Sequence, residues 1–129
     1  MATPLIVEPI IQNDAGDCAV AALAMLLSLP YAEVSKVALE LTKKPHKKGL
    51  YTRDMKRIAH KLGHELISKQ AKGMDLDGVT GIVLVKFDDV EHALFMFLGV
   101  IFDPWNGWLW ELDAYLAEKK AHPLTFLTT

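Results

Sequence analysis

Cysteine, histidine and aspartate can perform nucleophilic chemistry together, and this chain holds one cysteine, Cys18, with His92 and Asp103 downstream. Cys18 follows Asp17, a good helix N-cap residue, and begins a nearly all-apolar run, Cys18–Leu29. That places the thiol in the first turn of a buried helix, where the positive end of the helix dipole favours an anion and lowers a thiol's pKa. A thiolate nucleophile needs a base, usually histidine, held by a third group. His92 follows the acidic, loop-like stretch Asp88–Glu91 and opens a strand, and Asp103 ends the next strand. With Leu98-Gly99 as the two central residues of a hairpin turn, Phe97 opposes Val100 and Leu94 opposes Asp103. Side chains two apart share a face, so His92 becomes a diagonal neighbour of Asp103, within reach of a long side chain.

Gln12 lies across a turn, six residues before Cys18. Its amide and the backbone N–H at the helix start could together bind a developing oxyanion. Each residue also has a plainer reading. A free cysteine is usually a small buried hydrophobe. His92 could simply end a strand, Asp103 begin an Asp-Pro turn, and Gln12 be a solvated turn residue. The four as a set point to acyl transfer, which no single member does.

Other residues attract attention and carry less. His60 and His64 are four apart and next to Glu65, a spacing that suits a metal on one helix, but Gly63 breaks that helix and no third ligand stands out. His46 and His122 have no partners in the pattern. A Gly-rich phosphate loop and zinc-type cysteine pairs are both missing, so neither cofactor nor metal is expected. Trp105, Trp108 and Trp110 crowd together after Asp103 and either cap the core edge or wall a groove. Lys43, Lys44, Lys47, Lys48, Arg53, Lys56, Arg57 and Lys61 form a basic run whose lone aromatic is Tyr51. Without interleaved stacking residues, and with net charge −2, the pattern argues against a dedicated nucleic-acid binder.

The elements that must position these residues follow from periodicity. Pro4–Ile11 suits a short strand, and Gln12–Gly16 a turn. Cys18–Leu29 is a helix apolar on all sides, ended by Pro30. Tyr31–Thr42 and Arg53–Leu62 have helical apolar spacing, with a basic loop, Lys43–Gly49, between them. Thereafter strands dominate: His64–Gln70, Ile82–Phe87, Ala93–Phe97, Val100–Phe102 and Leu124–Leu127, with a short helix over Trp110–Lys119. Helices first and strands afterwards indicate an α+β fold, with helices packed on an antiparallel sheet.

Composition agrees with one domain spanning residues 1–129, with 51% hydrophobic residues and enough length for a core. The longest apolar stretches, Cys18–Leu27 and Ala93–Phe102, are ten residues each. A membrane-spanning helix needs roughly 20. The first basic residue is Lys36, so no signal-peptide pattern appears, and one cysteine forbids an internal disulfide. A reduced, cytoplasmic protein is the expectation. Charge is uneven: Lys36 to Lys72 holds 11 basic and 3 acidic residues (+8), and the remainder 3 basic and 13 acidic (−10). The two parts either attract one another or leave the basic one for an anionic partner.

The segment Gln12-Asn13-Asp14-Ala15-Gly16-Asp17-Cys18-Ala19 and the apolar helix after it resemble the glutamine-to-cysteine segment of the bacteriocin-processing, double-glycine peptidases, which are papain-like cysteine peptidases. Gly49-Leu50-Tyr51-Thr52 leading to Leu62-Gly63 is similar to the family's third helix. Glu91-His92-Ala93-Leu94 is similar to its histidine strand, and Val100-Ile101-Phe102-Asp103-Pro104 to its Asp-Pro after a hairpin. The resemblance implies a papain-like fold, Cys18 as nucleophile, His92 as general base, Asp103 as the residue orienting it, and Gln12 as oxyanion donor. It implies hydrolysis of a peptide or protein substrate through a thioester.

Ala19 stands where the family has glycine, and Ala93-Leu94 where bulkier residues are usual. The family's peptidase domain is commonly fused to an exporter and cuts leader peptides after Gly-Gly. This chain reads as a stand-alone version, of the kind a phage or mobile element encodes, so that substrate is not carried over. Three other readings remain open. One is an inactive peptidase-like module binding a peptide or protein. Another is a thiol acyltransferase or amidase using the same triad. The last is a binding module acting through its basic part.

Overall fold

The computed structural model describes residues 18–42, 52–76, 78–87, 90–104 and 109–129. The expected strand Pro4–Ile11, Gln12 and the basic loop Lys43–Gly49 lie outside them, as do Trp105 and Trp108. Helix α1, Cys18–Leu27, buries nine of its ten residues. An apolar surface all round must be enclosed on all sides. Helices α2, Tyr31–Thr42, and α3, Thr52–Lys61, cover it on one side. A sheet covers it on the other, with strand β3, Val90–Phe97, directly beneath.

The remaining strands are β1, Ile67–Gln70; β2, Gly81–Phe87; β4, Val100–Phe102; β5, Leu109–Glu111; and β6, His122–Thr128. Among the described residues they and β3 form one six-stranded sheet of order β1-β6-β2-β3-β4-β5, with every neighbouring pair antiparallel. Both faces are covered. Ile82, Ala93, Phe95, Phe102 and Leu127 face α1, α2 and α3. Val83, Val85, Leu94, Met96, Ile101 and Phe126 face the other way, where helix α4, Leu112–Lys119, sets Tyr115 against them. The strict alternation along β2 and β3 is the period-2 pleat. The α+β arrangement expected from the sequence is the one observed. Among the described residues no helix is long and apolar enough to cross a membrane.

Several boundaries differ from expectation. Helix α1 stops at Leu27, before Pro30. Ser28 adopts a left-handed conformation (φ 55°), and the Leu29 N–H bonds to the Ala24 carbonyl. Pro30 instead starts α2, its carbonyl accepting from the N–H groups of Glu33 and Val34. The strand expected from His64 begins at Ile67, because Gly63 and His64 are used in closing α3. Their N–H groups bond to the carbonyls of His60 and Ala59. Glu91, expected in a loop, lies in β3 opposite Lys86, an opposite-charge pair that favours extending the ladder. His92 is therefore the third residue of its strand, not the first.

Trp110, expected in a helix, pairs with Ile101 as part of edge strand β5, and the helix starts at Leu112. Sheet pairing, with Trp110 packed on the second core, overrides the local helical pattern there. The last strand is longer than expected and accommodates Pro123 through a register shift between Leu84 and Val85 of β2.

Gly81 sits where β2 meets β6. A Cβ there would collide with the Leu127 carbonyl and the Phe126 ring. Gly81→Ala should therefore destabilise the fold by about 1–3 kcal/mol through overpacking. Urea denaturation checks this by a lower midpoint at unchanged slope.

Candidate functional site

The β3–β4 hairpin sets the geometry. Leu98 and Gly99 both have positive φ, 50° and 84°, as a two-residue turn of the primed type requires. Phe97 pairs with Val100 across it, as the spacing predicts. In such a turn the flanking pair is hydrogen-bonded, so the N–H groups of Phe97, Phe95 and Ala93 all point toward β4. Strand β4 ends at Phe102, opposite Phe95, and Ala93 lies beyond its reach. The start of α1 fills that gap: the Ala93 N–H donates to Cys18 Sγ at 3.4 Å.

His92 and Asp103 meet on the opposite face of the same ribbon. Asp103 lies just past β4, and its Oδ1 is 3.0 Å from His92 Nε2. The imidazole also hydrogen-bonds the Cys18 thiol. With Nε2 held by the carboxylate, Nδ1 is the nitrogen left for sulfur. Cys18 and His92 keep 8% and 9% of their exposure, against 4% for Asp103. The sulfur–imidazole pair thus lies at the rim of the core, with the carboxylate behind it.

This placement has electrostatic consequences. Burial pushes the Cys18 thiol up, yet its pKa lies below the ordinary value. The His92 hydrogen bond and charge, with the N–H groups of Ala93 and Ala19, outweigh desolvation. Burial pulls His92 down, but its bonds to Asp103 and Cys18, and their charges, raise it to about 9. Thiol down and imidazole up together favour a thiolate–imidazolium pair at neutral pH. A raised histidine pKa stabilises the fold fully below its unfolded value of about 6.5, and that contribution fades as pH rises through about 9. Such a pair can attack an acyl carbon and protonate a leaving group.

Of the four residues singled out in the sequence, Cys18, His92 and Asp103 are brought together, and Gln12 lies outside the described residues. Two contributors were not singled out. The hairpin register gives the direction of the Ala93 N–H, but that sulfur receives it depends on where α1 docks. Tyr115 was not legible in the sequence, because its role depends on how α4 docks. Burial, then the charges of Asp103 and Cys18, push its phenol up, so it stays neutral beside them. Trp110 meets the Tyr115 ring edge-on, with centroids 5.7 Å apart. His60 pairs with Glu65 at 3.1 Å, and His64 lies past the helix end. Among the described residues no three His, Cys, Asp or Glu side chains cluster to hold a metal ion.

Comparison with known proteins places the chain beside a peptidase family and a solved protease structure. Residues 7–96 fit the peptidase C39 family, a span that includes Gln12, Cys18 and His92 and ends before Asp103. The chain also resembles the crystal structure of a double glycine motif protease from AMS/PCAT transporter in complex with the leader peptide. The TM-score is 0.67 at 19% identity, covering 95% of this chain and 90% of that one. At that identity the likeness concerns the fold. A comparison with curated proteins finds no match.

Because Cys18 is the chain's single thiol, its alkylation by iodoacetamide can be followed by intact mass. Labelling should persist well below the ordinary thiol pKa of about 8.5. In His92→Ala the pH profile should move up toward or beyond that value, since only the N–H groups of Ala93 and Ala19 then oppose burial.

Proposed function

The chain belongs to the peptidase C39 family, and from that membership and the site geometry we propose that it is a cysteine peptidase acting on a peptide or protein substrate. The observation that carries this reading is the hydrogen-bonded line from Cys18 Sγ through the His92 ring to Asp103 Oδ1, at the start of a buried helix. In this reading the Cys18 thiolate attacks the scissile carbonyl carbon. The oxyanion that forms is met by the N–H groups at the start of α1 and by the Gln12 amide. The tetrahedral species collapses as the C–N bond breaks, and imidazolium His92 gives its proton to the leaving amine. Water, deprotonated by the now neutral His92, attacks the thioester and returns Cys18 to the thiolate–imidazolium pair.

Asp103 holds the imidazole by Nε2, so that Nδ1 faces the sulfur and imidazolium is favoured. The Ala93 N–H has a separate part. It stabilises the resting thiolate and fixes the sulfur laterally, between the strand and the helix start. Ala19, in place of the family's glycine, suits the helix it occupies. The solved relative is a protease in complex with a leader peptide. Peptides with a glycine-rich junction are therefore the first substrate class to test.

A mixed peptide library containing such junctions, read by mass spectrometry, tests the proposal. Cleavage should fall about 10³-fold or more in Cys18→Ala. Intact labelling of Cys18 without cleavage of any library member would sink the peptidase reading. For a substrate found this way, kcat/KM should be bell-shaped, with its alkaline limb near 9 set by His92. Asp103→Asn should move that limb to lower pH, since losing the carboxylate removes a bond and a charge that raise His92.

A further inference from the structure

We propose that the outer face of α3 is a docking site for an acidic peptide segment carrying an apolar anchor residue. Arg53, Lys56, Arg57, His60 and Lys61 recur at helical spacing, on the side away from the buried Met55, Ile58 and Ala59. Toward its C-terminal half this stripe borders a cavity of about 410 Å³, lined by Lys56, Arg57, His60, Lys61, Leu41 and Leu66. Among the described residues Glu65 is its one carboxylate, and that group is engaged 3.1 Å from His60. Among the described residues none of Arg53, Lys56, Arg57 and Lys61 has an ion-pair partner. Three permanent cations around one cavity, opposed by a single carboxylate, leave an uncompensated positive field. Holding them together costs repulsion that an anionic ligand would relieve.

The cavity itself favours a peptide over the other polyanions. Leu41, at the edge of α2, and Leu66, before β1, give the concavity an apolar part that sugar–phosphate backbones do not use. Among the described lining residues there is no Phe, Tyr or Trp on which a base could stack, and the His60 ring is held by Glu65. An apolar side chain flanked by carboxylates matches both features: the anchor enters between the leucines, and its acidic neighbours reach the lysines and Arg57. This binding does not depend on Cys18, so its failure and the failure of the peptidase reading are separable.

Fluorescence anisotropy with the Cys18→Ala chain tests it. The probes are fluorescein-labelled peptides of alternating glutamate and leucine, glutamate and serine, and lysine and leucine, beside a single-stranded oligonucleotide of equal charge. The glutamate–leucine peptide should bind tightest and weaken as salt rises. The doubly charge-reversed Arg57→Glu/Lys61→Glu variant should lose tenfold or more in affinity. Arg57→Gln/Lys61→Gln, which removes charge without reversing it, should fall between, and either variant suffices if the other does not fold. Unchanged affinity in a folded variant overturns the proposal. So does equal binding of the glutamate–serine peptide, equal or tighter binding of the oligonucleotide, or no binding of the glutamate–leucine peptide at low salt.

Discussion

A helix with apolar residues on every side can lie stably only inside, and the architecture follows from enclosing α1. One sheet face covers one side of it and two amphipathic helices the other. Val20, Leu23 and Ala24 are fully buried there. Burying a side chain the size of leucine contributes about 1.5–3 kcal/mol, so the enclosure is among the larger favourable terms in folding. The same requirement fixes where the first turn of α1 ends. Cys18 is held at the edge of the sheet because the helix behind it cannot move without exposing that surface.

The second constraint is strand register. Side chains on a strand alternate faces, so a slip of one residue would turn His92 away from Asp103 and carry Phe95 out of the helical core. The primed turn at Leu98-Gly99 prevents such a slip, and its tip is tied down besides. The Leu98 N–H donates to Thr80 Oγ1 at 3.1 Å, and the Gly99 N–H to the Val79 carbonyl at 3.1 Å. The shortness of β4 then becomes a structural feature. It frees the Ala93 N–H for sulfur and lets the chain leave the sheet just where Asp103 must reach back to His92. Electrostatics and sheet geometry are thus linked: the desolvation that would neutralise both groups is overcome only while the register holds.

The two sheet faces divide the work. The helical face encloses α1 and carries the basic stripe of α3 on its outside. The opposite face holds a smaller core in which Tyr115 and Trp110 back the Asp103 side of the site. Tyr115 is buried there, and the Asp103 charge helps keep its phenol neutral.

Much of this was legible in the residues. Uninterrupted apolarity marked α1 as central, and the 3.6-residue spacing marked α2 and α3. Leu98-Gly99 set the β3–β4 register, and with it the diagonal meeting of His92 and Asp103. These signals are local, written into spacings of a few residues. Element ends were less legible. Glu91 and Trp110 joined strands because partners distant in sequence, Lys86 and Ile101, offered ladder positions. Tertiary structure alone decided that the start of α1 fills the gap beyond β4, that α4 sets Tyr115 beneath Asp103, and that thiol and imidazole shift in opposite directions. Those outcomes depend on desolvation and on contacts between residues as far apart as Cys18 and Ala93, which no local pattern records.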